Sequence, residues 1–404
     1  MSHRTYPVIP ALAGAIDTRA LQDFLSPLHA QNRYAGFGVC QYDHGLSPLL
    51  PAYAYCGGVY SPTQQRVYLV PYSIASQSTW HYIDCITGSV VPYPGAPGVP
   101  QYGYLGGAYC PTQDRIYMSP YGIAGEPGSW HYIDCATGNV VAYAAGTGTL
   151  GYAYEGSVYS PKQNRVYFVP QMAWHGTNLH YVDCGTSAPT VGTYGFNGHT
   201  AVGYAYAGGC YCPSLDRIYF APYQQANQSV WHYLDCSTGS LEEYAAGAGA
   251  TSAAYAGAVY SPMQDRVYFV PDAQATFSST WHYVDCAAGG TVGTYLGQST
   301  AATAYAGGSY SPATNRIYFA PVGPLGHNTW HYVDCSTGLS HEYEASSTSV
   351  ATRYYGSVYD PHRNSVLFVP FSQATTSPVL HRIQEYAPAE VPPSVAALPL
   401  FNNY

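Results

Sequence analysis

The sequence predicts an all-β fold: a seven-bladed β-propeller of four-stranded antiparallel blades, the last blade closed by an N-terminal strand. Three observations predict it. A W-H-Y-[IV]-D-C phrase, or a degenerate copy, places histidines at His81, His131, His180, His232, His282, His331 and His381, in steps of 50, 49, 52, 50, 49 and 50 residues. A fixed period of this length means one supersecondary unit copied along the chain. Each copy holds short runs of aromatic and β-branched residues bounded by Gly, Pro, Asn and Asp, and none shows a 3.6-residue apolar period. A small sheet with two apolar faces must be covered on both, and seven arranged radially cover one another.

The elements follow in order. The first strand is Y-x-G-G-x-Y, as in Tyr55 to Tyr60, and the second is R-V-Y-F-V-P, as in Arg165 to Pro170. The third is W-H-Y-I-D-C, as in Trp130 to Cys135, and the fourth is weaker, as in Asn139 to Tyr143. S-P-x-x-[DNQ]-R joins the first two strands: proline presets a type I corner, and Asp or Asn tolerates a left-handed last position. C-x-T-G joins the last two, its glycine supplying positive φ. Gly57, Gly106, Gly156, Gly208, Gly257, Gly307 and Gly356 precede a small residue in every first strand. Strands crowded round an axis need such close backbone approach.

Residues 1–37 read as an N-terminal arm with a short helix begun by Asp17, and 38–386 as the propeller. The seventh repeat lacks a fourth strand, so 38–42 supply it and remove the open edge. Residues 387–404 form a proline-containing C-terminal arm, read as a linker or docking arm. The loops between strands two and three, and those leading into the next blade, vary most. They share one face, where specific binding would be built.

Composition excludes several roles. Charged residues are 9% of the chain, Lys162 is the single lysine and the net charge is −9, so no basic stripe exists for nucleic acid. No apolar run is long enough to span a membrane, and the first residues lack the order of a signal peptide. The eleven cysteines fit no disulfide framework, which points to buried thiols and a reducing compartment. The 45 tyrosines read as core residues with their hydroxyls satisfied at sheet rims, or, more sharply, as an aromatic recognition surface.

Six blades repeat an arginine and an aspartate: Arg66 and Asp84, Arg115 and Asp134, Arg165 and Asp183, Arg217 and Asp235, Arg266 and Asp285, Arg316 and Asp334. Blade seven has Ser365 and Gln384 instead, and the joint loss marks the two as partners. A device copied in every blade is structural, because a catalytic site is assembled once. Trp174 and Phe277, in variable loops, and Glu155, which breaks the small-residue habit before a first-strand glycine, are the candidate ligand-facing residues. His175, His199, His327 and His341 are isolated and read as surface histidines. No hydrolase, zinc-protease, P-loop or EF-hand motif occurs, so neither a metal nor a cofactor is expected.

The Y-S-P-x-x-[DN]-R-[IV]-Y phrase, as in Tyr260 to Tyr268, and the D-C-x-T-G phrase, as in Asp334 to Gly338, resemble the YVTN, quinoprotein-like and WD40-like propeller superfamily over about residues 39–386. The resemblance implies the fold alone. The G-H and W-D pairs of WD40 repeats and the tryptophan of quinoprotein repeats are missing, so no cofactor is carried over. The W-H-Y-[IV]-D-C form also resembles repeats of giant DNA viruses, which implies a virion setting. The expected function is a non-enzymatic scaffold docking protein partners into a larger assembly. The alternative is a lectin holding glycans in its variable loops, and a hydrolase or lyase ranks last.

Overall fold

The computed structural model describes residues 37–43, 50–123, 128–172, 178–297, 304–323, 329–344, 354–372, 379–385 and 402–403. The proposed Asp17 helix and Trp174 lie outside the described residues. Seven antiparallel sheets form the blades. Blade one comprises Tyr55–Ser61, Arg66–Pro71, Thr79–Asp84 and Val90–Pro94, paired in chain order. The same four strands recur in blades two to six, whose first strands begin at Tyr104, Tyr154, Tyr206, Tyr255 and Tyr305. Blade seven takes Tyr354–Asp360, Ser365–Pro370 and Val379–Glu385 from the C-terminal end and Phe37–Asp43 from the N-terminal end, with Phe37 opposite Glu385. The N-terminal strand therefore closes the ring.

Each first strand carries a bulge at its glycine. Register shifts between Tyr55 and Gly58, and at the same place in all seven blades. Gly57 has φ +86° and Gly257 +108°, a backbone that side chains resist. The repeated glycine thus has a second reason beyond crowding: its bulge turns the preceding residue toward the axis. The turns match expectation, with Asp265 at φ +51° and Asn315 at +55° before the second strand, and Gly138 at +79° before the fourth.

The core is aromatic. Trp80, Trp130, Trp231, Trp281 and Trp330 are fully buried, as are the tyrosines that begin the first strands. In every blade the first-strand Tyr Oη bonds the repeat histidine's Nδ1, from Tyr55 to His81 at 2.5 Å round to Tyr354 and His381. The tyrosine hydroxyl also takes a backbone N–H where His232 donates to Tyr206 at 3.0 Å. This buried pair satisfies two polar groups inside an apolar sheet. The fourth-strand hydroxyls of Tyr93, Tyr143 and Tyr244, by contrast, are buried with no hydrogen-bond partner, against the expectation that rims satisfy them.

Neighbouring blades are joined by a sevenfold contact on the conserved-turn face. The residue ending one first strand lies against the residue ending the next blade's third strand. The pairs are Ser61 and Cys135, Cys110 and Cys184, Ser160 and Cys236, Cys212 and Cys286, Ser261 and Cys335, Ser311 and Glu385, and Asp360 and Cys85. Arg363 reinforces the closing junction, donating to the carbonyls of Cys85 at 2.9 Å and Ile86 at 2.6 Å.

Helix is minimal among the described residues: Ala273–Phe277 and a 3-10 turn at Gln224–Asn227. No helix among them is long and apolar enough to cross a membrane. Asn402–Asn403 pair antiparallel with Ala258 and Val259 of blade five's first strand and reach the first strands of blades two, three, four and six. This end of the C-terminal arm therefore lies on the propeller axis.

Candidate functional site at the channel mouth

The bulges set one residue per blade round the axis: Cys56, Leu105, Glu155, Ala207, Ala256, Ala306 and Tyr355. Cys56, Leu105, Ala207, Ala256 and Ala306 form one apolar cluster, and Tyr72, Tyr121, Tyr223, Val322, Tyr355 and Phe371 pack on it. The second-strand proline is followed in turn by Tyr72, Tyr121, Gln171, Tyr223, Asp272, Val322 and Phe371, so this second ring sits toward the variable face.

A third layer comes from the loops leading into the blades. Tyr53, Tyr102, Tyr152 and Tyr204 occupy equivalent positions with φ of +60°, +62°, +63° and +55°, uncommon for a bulky residue. Local hydrogen bonds hold that backbone: the Tyr53 carbonyl accepts Ser73 N–H at 3.0 Å, and Tyr102 N–H donates to the Tyr72 carbonyl in the neighbouring blade at 2.8 Å. The rings then pack in tilted or edge-on pairs, Tyr53 against Phe371 at 4.8 Å, Tyr72 against Tyr102 at 4.9 Å and Tyr121 against Tyr152 at 5.0 Å. Tyr355 on Phe371 at 5.2 Å and Tyr72 on Tyr121 at 5.7 Å link them into an arc over blades seven, one and two. Tyr204 and Tyr223 add blade four.

The arc is interrupted by two acids. Glu155 is buried at 4% exposure and accepts hydrogen bonds from Tyr355 Oη at 2.6 Å and from Gln171 Nε2. Asp272 is also buried, and burial, helped by the Glu155 charge and opposed by Ala304 N–H, pushes its carboxyl up to about 7. The Glu155 charge also raises Cys56, Tyr72, Tyr121 and Tyr223, in each case after burial. Two buried carboxyl groups thus sit among the aromatic rings of the mouth. Such a mouth suits an organic cation, which ring faces and carboxylates both attract.

The other predicted residues fall elsewhere. Arg66 and Asp84 are register partners across two strands, and so are the other five pairs. Ion pairs form from Arg266 to Asp285 at 3.3 Å, Arg165 to Asp183 at 3.7 Å and Arg316 to Asp334 at 4.0 Å. The contact common to all six is different: each guanidinium lies 4.2–4.5 Å over the third-strand tyrosine. The aspartate instead caps the turn, as where Asp84 Oδ1 accepts Ile86 N–H at 3.0 Å and Thr87 N–H at 2.8 Å. Phe277 is 73% exposed at the end of the blade-five loop.

His199 is not the isolated surface residue the sequence suggested. Its Nδ1 lies 2.9 Å from Glu243 Oε1, which is 3.5 Å from His232 Nε2. Burial holds His232 down to about 4, with Glu243 opposing and His199 adding. His341 stacks on Tyr332 at 5.3 Å. A second cluster, Cys212, Asp265 and Cys286, is wholly buried between blades four and five. Chain spacing hides both clusters, since the loop or the neighbouring blade brings their members together.

The fold defines the class, a seven-bladed β-propeller. No family model matches the sequence, and no curated protein matches it. Solved structures match in fold. The β-propeller domain of Myceliophteria thermophila Cps50 (Swd1) aligns with TM-score 0.54 at 7% identity, over 87% of this chain and 100% of that one. Kuenenia stuttgartiensis hydrazine synthase gives 0.58 at 11%, over 85% and 99%. The extracellular domain of a putative one component system of B. thetaiotaomicron gives 0.56 at 7%, over 88% of this chain and 40% of that one. At these identities the likeness is one of fold, and chemistry has to be argued from the site.

Proposed function

We propose that the protein is a non-enzymatic interaction scaffold whose channel mouth receives a cationic side chain of a protein partner. The observation that carries this reading is Glu155, buried on the axis and held by Tyr355 and Gln171 beneath an arc of aromatic rings. A propeller offers a rigid disc to partners. Calorimetric titration with peptides differing in one residue, trimethyl-lysine, arginine or norleucine, tests it. Binding of a cationic peptide and not the norleucine peptide supports the reading; equal or absent binding of all three overturns it.

The lectin reading is favoured by Phe277, exposed on the variable face, and by half-exposed Tyr53, Tyr152 and Tyr204, rings on which sugars stack. A glycan array separates the two: a defined sugar class bound through Phe277 would replace the cation reading. The virion setting rests on the repeat resemblance, and removal of 1–30 and 387–404 should abolish assembly if the arms dock the scaffold there. The free, mostly buried thiols support a reducing compartment.

A further inference from the structure

The repeat histidine is a structural device in most blades, and blade four departs from it. In blades three and five the ring Nε2 lies 3.1 Å from a loop carbonyl, of Thr147 for His180 and of Ala248 for His282. The loop glycines press on those rings: a Cβ added at Gly146 or Gly247 would stand 2.4 or 2.3 Å from the imidazole. Blade four follows the longest step in the repeat, 52 residues. Its leading loop is one residue longer than that of blade three, with twelve steps from Tyr194 to Tyr206 against eleven from Tyr143 to Tyr154; the rest of the lengthening lies in the turn between Asp183 and Thr190. Three residues past the fourth-strand tyrosine, where blades three and five have Gly146 and Gly247, the loop into blade four has Asn197.

This loop places a second imidazole beside His232, the His199 ring lying 5.7 Å from it. Asn197 and Gly198 have φ of +51° and +81°, and His199 N–H donates to the Phe196 carbonyl at 2.9 Å. This is a tight Asn-Gly turn with both central residues left-handed. Asn197 Nδ2 donates to Glu242 Oε1 at 3.3 Å, tying the turn to the fourth strand. Glu243, opposite His232 in register, completes the group. Blade six has the matching contact between His331 and Glu342 at 3.6 Å, but no second histidine joins it among the described residues.

We propose that His199 Nδ1, His232 Nε2 and Glu243 Oε1 form a binding site for a divalent transition-metal ion, with Zn2+ the best match to two imidazoles and a carboxylate. All three atoms lie within 4.8 Å of one another. Tetrahedral zinc with ligand bonds of about 2.0–2.1 Å brings ligand atoms to roughly 3.4 Å, so the 2.9 and 3.5 Å separations need little adjustment. Tyr206 fixes the His232 ring at Nδ1, 2.5 Å away, as an outer partner orients a ligating imidazole. On binding, the His232 ring proton sits on Nδ1 and Tyr206 Oη accepts it. Glu243 is 39% exposed, which leaves a fourth position facing solvent, the open arrangement of three-ligand zinc sites.

The test is calorimetric titration of the EDTA-treated, reduced full chain with ZnCl2, beside Co2+ absorption spectra. One equivalent should bind, and tetrahedral Co2+ bands should carry nitrogen and oxygen ligands without thiolate charge transfer. His199→Ala and Glu243→Gln should each weaken binding roughly 100-fold or more. Both residues lie away from the blade core, so metal-free melting should be unchanged. Cys212→Ser should leave binding intact. Absence of binding, binding indifferent to His199→Ala, or binding lost with Cys212→Ser would each overturn the assignment, the last by moving the ion to the buried cysteine cluster.

Discussion

Tyr355 of blade seven donates its hydroxyl to Glu155 Oε1 of blade three at 2.6 Å, joining residues 200 apart in sequence across the channel. The bond fixes a buried carboxylate beneath the aromatic arc. A carboxylate in an apolar ring has a large influence, because little solvent screens it. Glu155→Gln should therefore weaken a cationic peptide more than tenfold. Tyr355→Phe should weaken it roughly three- to tenfold, the worth of one hydrogen bond. Titration of both variants checks this, and wild-type affinity in Glu155→Gln would remove the acid from the site.

Two tyrosines of blade two should respond oppositely to the same change. Tyr104 Oη bonds His131 Nδ1 at 2.5 Å, so Tyr104→Phe leaves a buried ring nitrogen without its partner. Tyr143 Oη is buried with no partner. Removing a satisfied buried hydroxyl costs about 1–2 kcal/mol, whereas removing an unsatisfied one is neutral or stabilising. Urea unfolding of Tyr104→Phe and Tyr143→Phe measures the contrast, and equal losses would mean the two hydroxyls are equivalent.

The repeat made the fold legible because its turns require particular backbones. Proline, then Asp or Asn at positive φ, fixes the first hairpin in sequence and in space, as at Asp265. Strand completion at Phe37–Asp43 could be read because blade seven visibly lacked a strand. The site was legible only at Glu155, the one acidic residue in the ring round the axis. Asp272, Tyr72 and Tyr355 were invisible, since each looks like an ordinary strand-end residue until seven blades bring such residues together. His199 was missed for a related reason: a lone loop histidine carries no sign in the sequence of Glu243 beside it. The joint loss of Arg and Asp in blade seven marked them as partners, but not the tyrosine beneath each guanidinium, because ring contact leaves no spacing to count.

Glu385 should make stability fall as pH rises. It takes the place of the repeat cysteine in blade seven and is 2% exposed, with Ser311 and Thr314 hydroxyls donating to it. Burial, opposed by those hydrogen bonds, pushes its carboxyl up to about 7. The folded state then holds its proton more tightly than the unfolded state, where the group titrates near 4.3. Its contribution is fully present below about pH 4 and is lost as pH rises through about 7, a change on the order of 3 kcal/mol. Glu385→Gln removes the titration. Urea unfolding of both proteins at pH 5 and pH 8 should show wild type losing ground to the variant, and a constant difference would exclude Glu385 as the cause.

Two blade junctions should be capable of covalent closure. Five of the seven set a serine, an aspartate or a glutamate against the facing group, whereas Cys110 faces Cys184 and Cys212 faces Cys286. The first two thiols are hydrogen-bond partners, which pushes Cys184 up, and Cys212 and Cys286 share a cluster whose ligand atoms lie within 4.8 Å. Equivalent cysteines on adjacent blades stand too far apart to bond; these are non-equivalent positions that the ring presses together. Diamide, a two-electron oxidant, would take two hydrogens from each pair to make one disulfide. Each disulfide would close a loop of about 75 residues, worth roughly 4 kcal/mol in the loop-entropy account. Burial should make the reaction slow in the native state and faster near the melting transition. Peptide mapping should then find Cys110 joined to Cys184 and Cys212 to Cys286, with Cys135, Cys236 and Cys335 still reduced and the melting midpoint raised. Cys286→Ser should lose one crosslink and part of the gain. Scrambled pairing, or full resistance to oxidation at the melting midpoint, would mean that the sulfurs do not reach bonding distance.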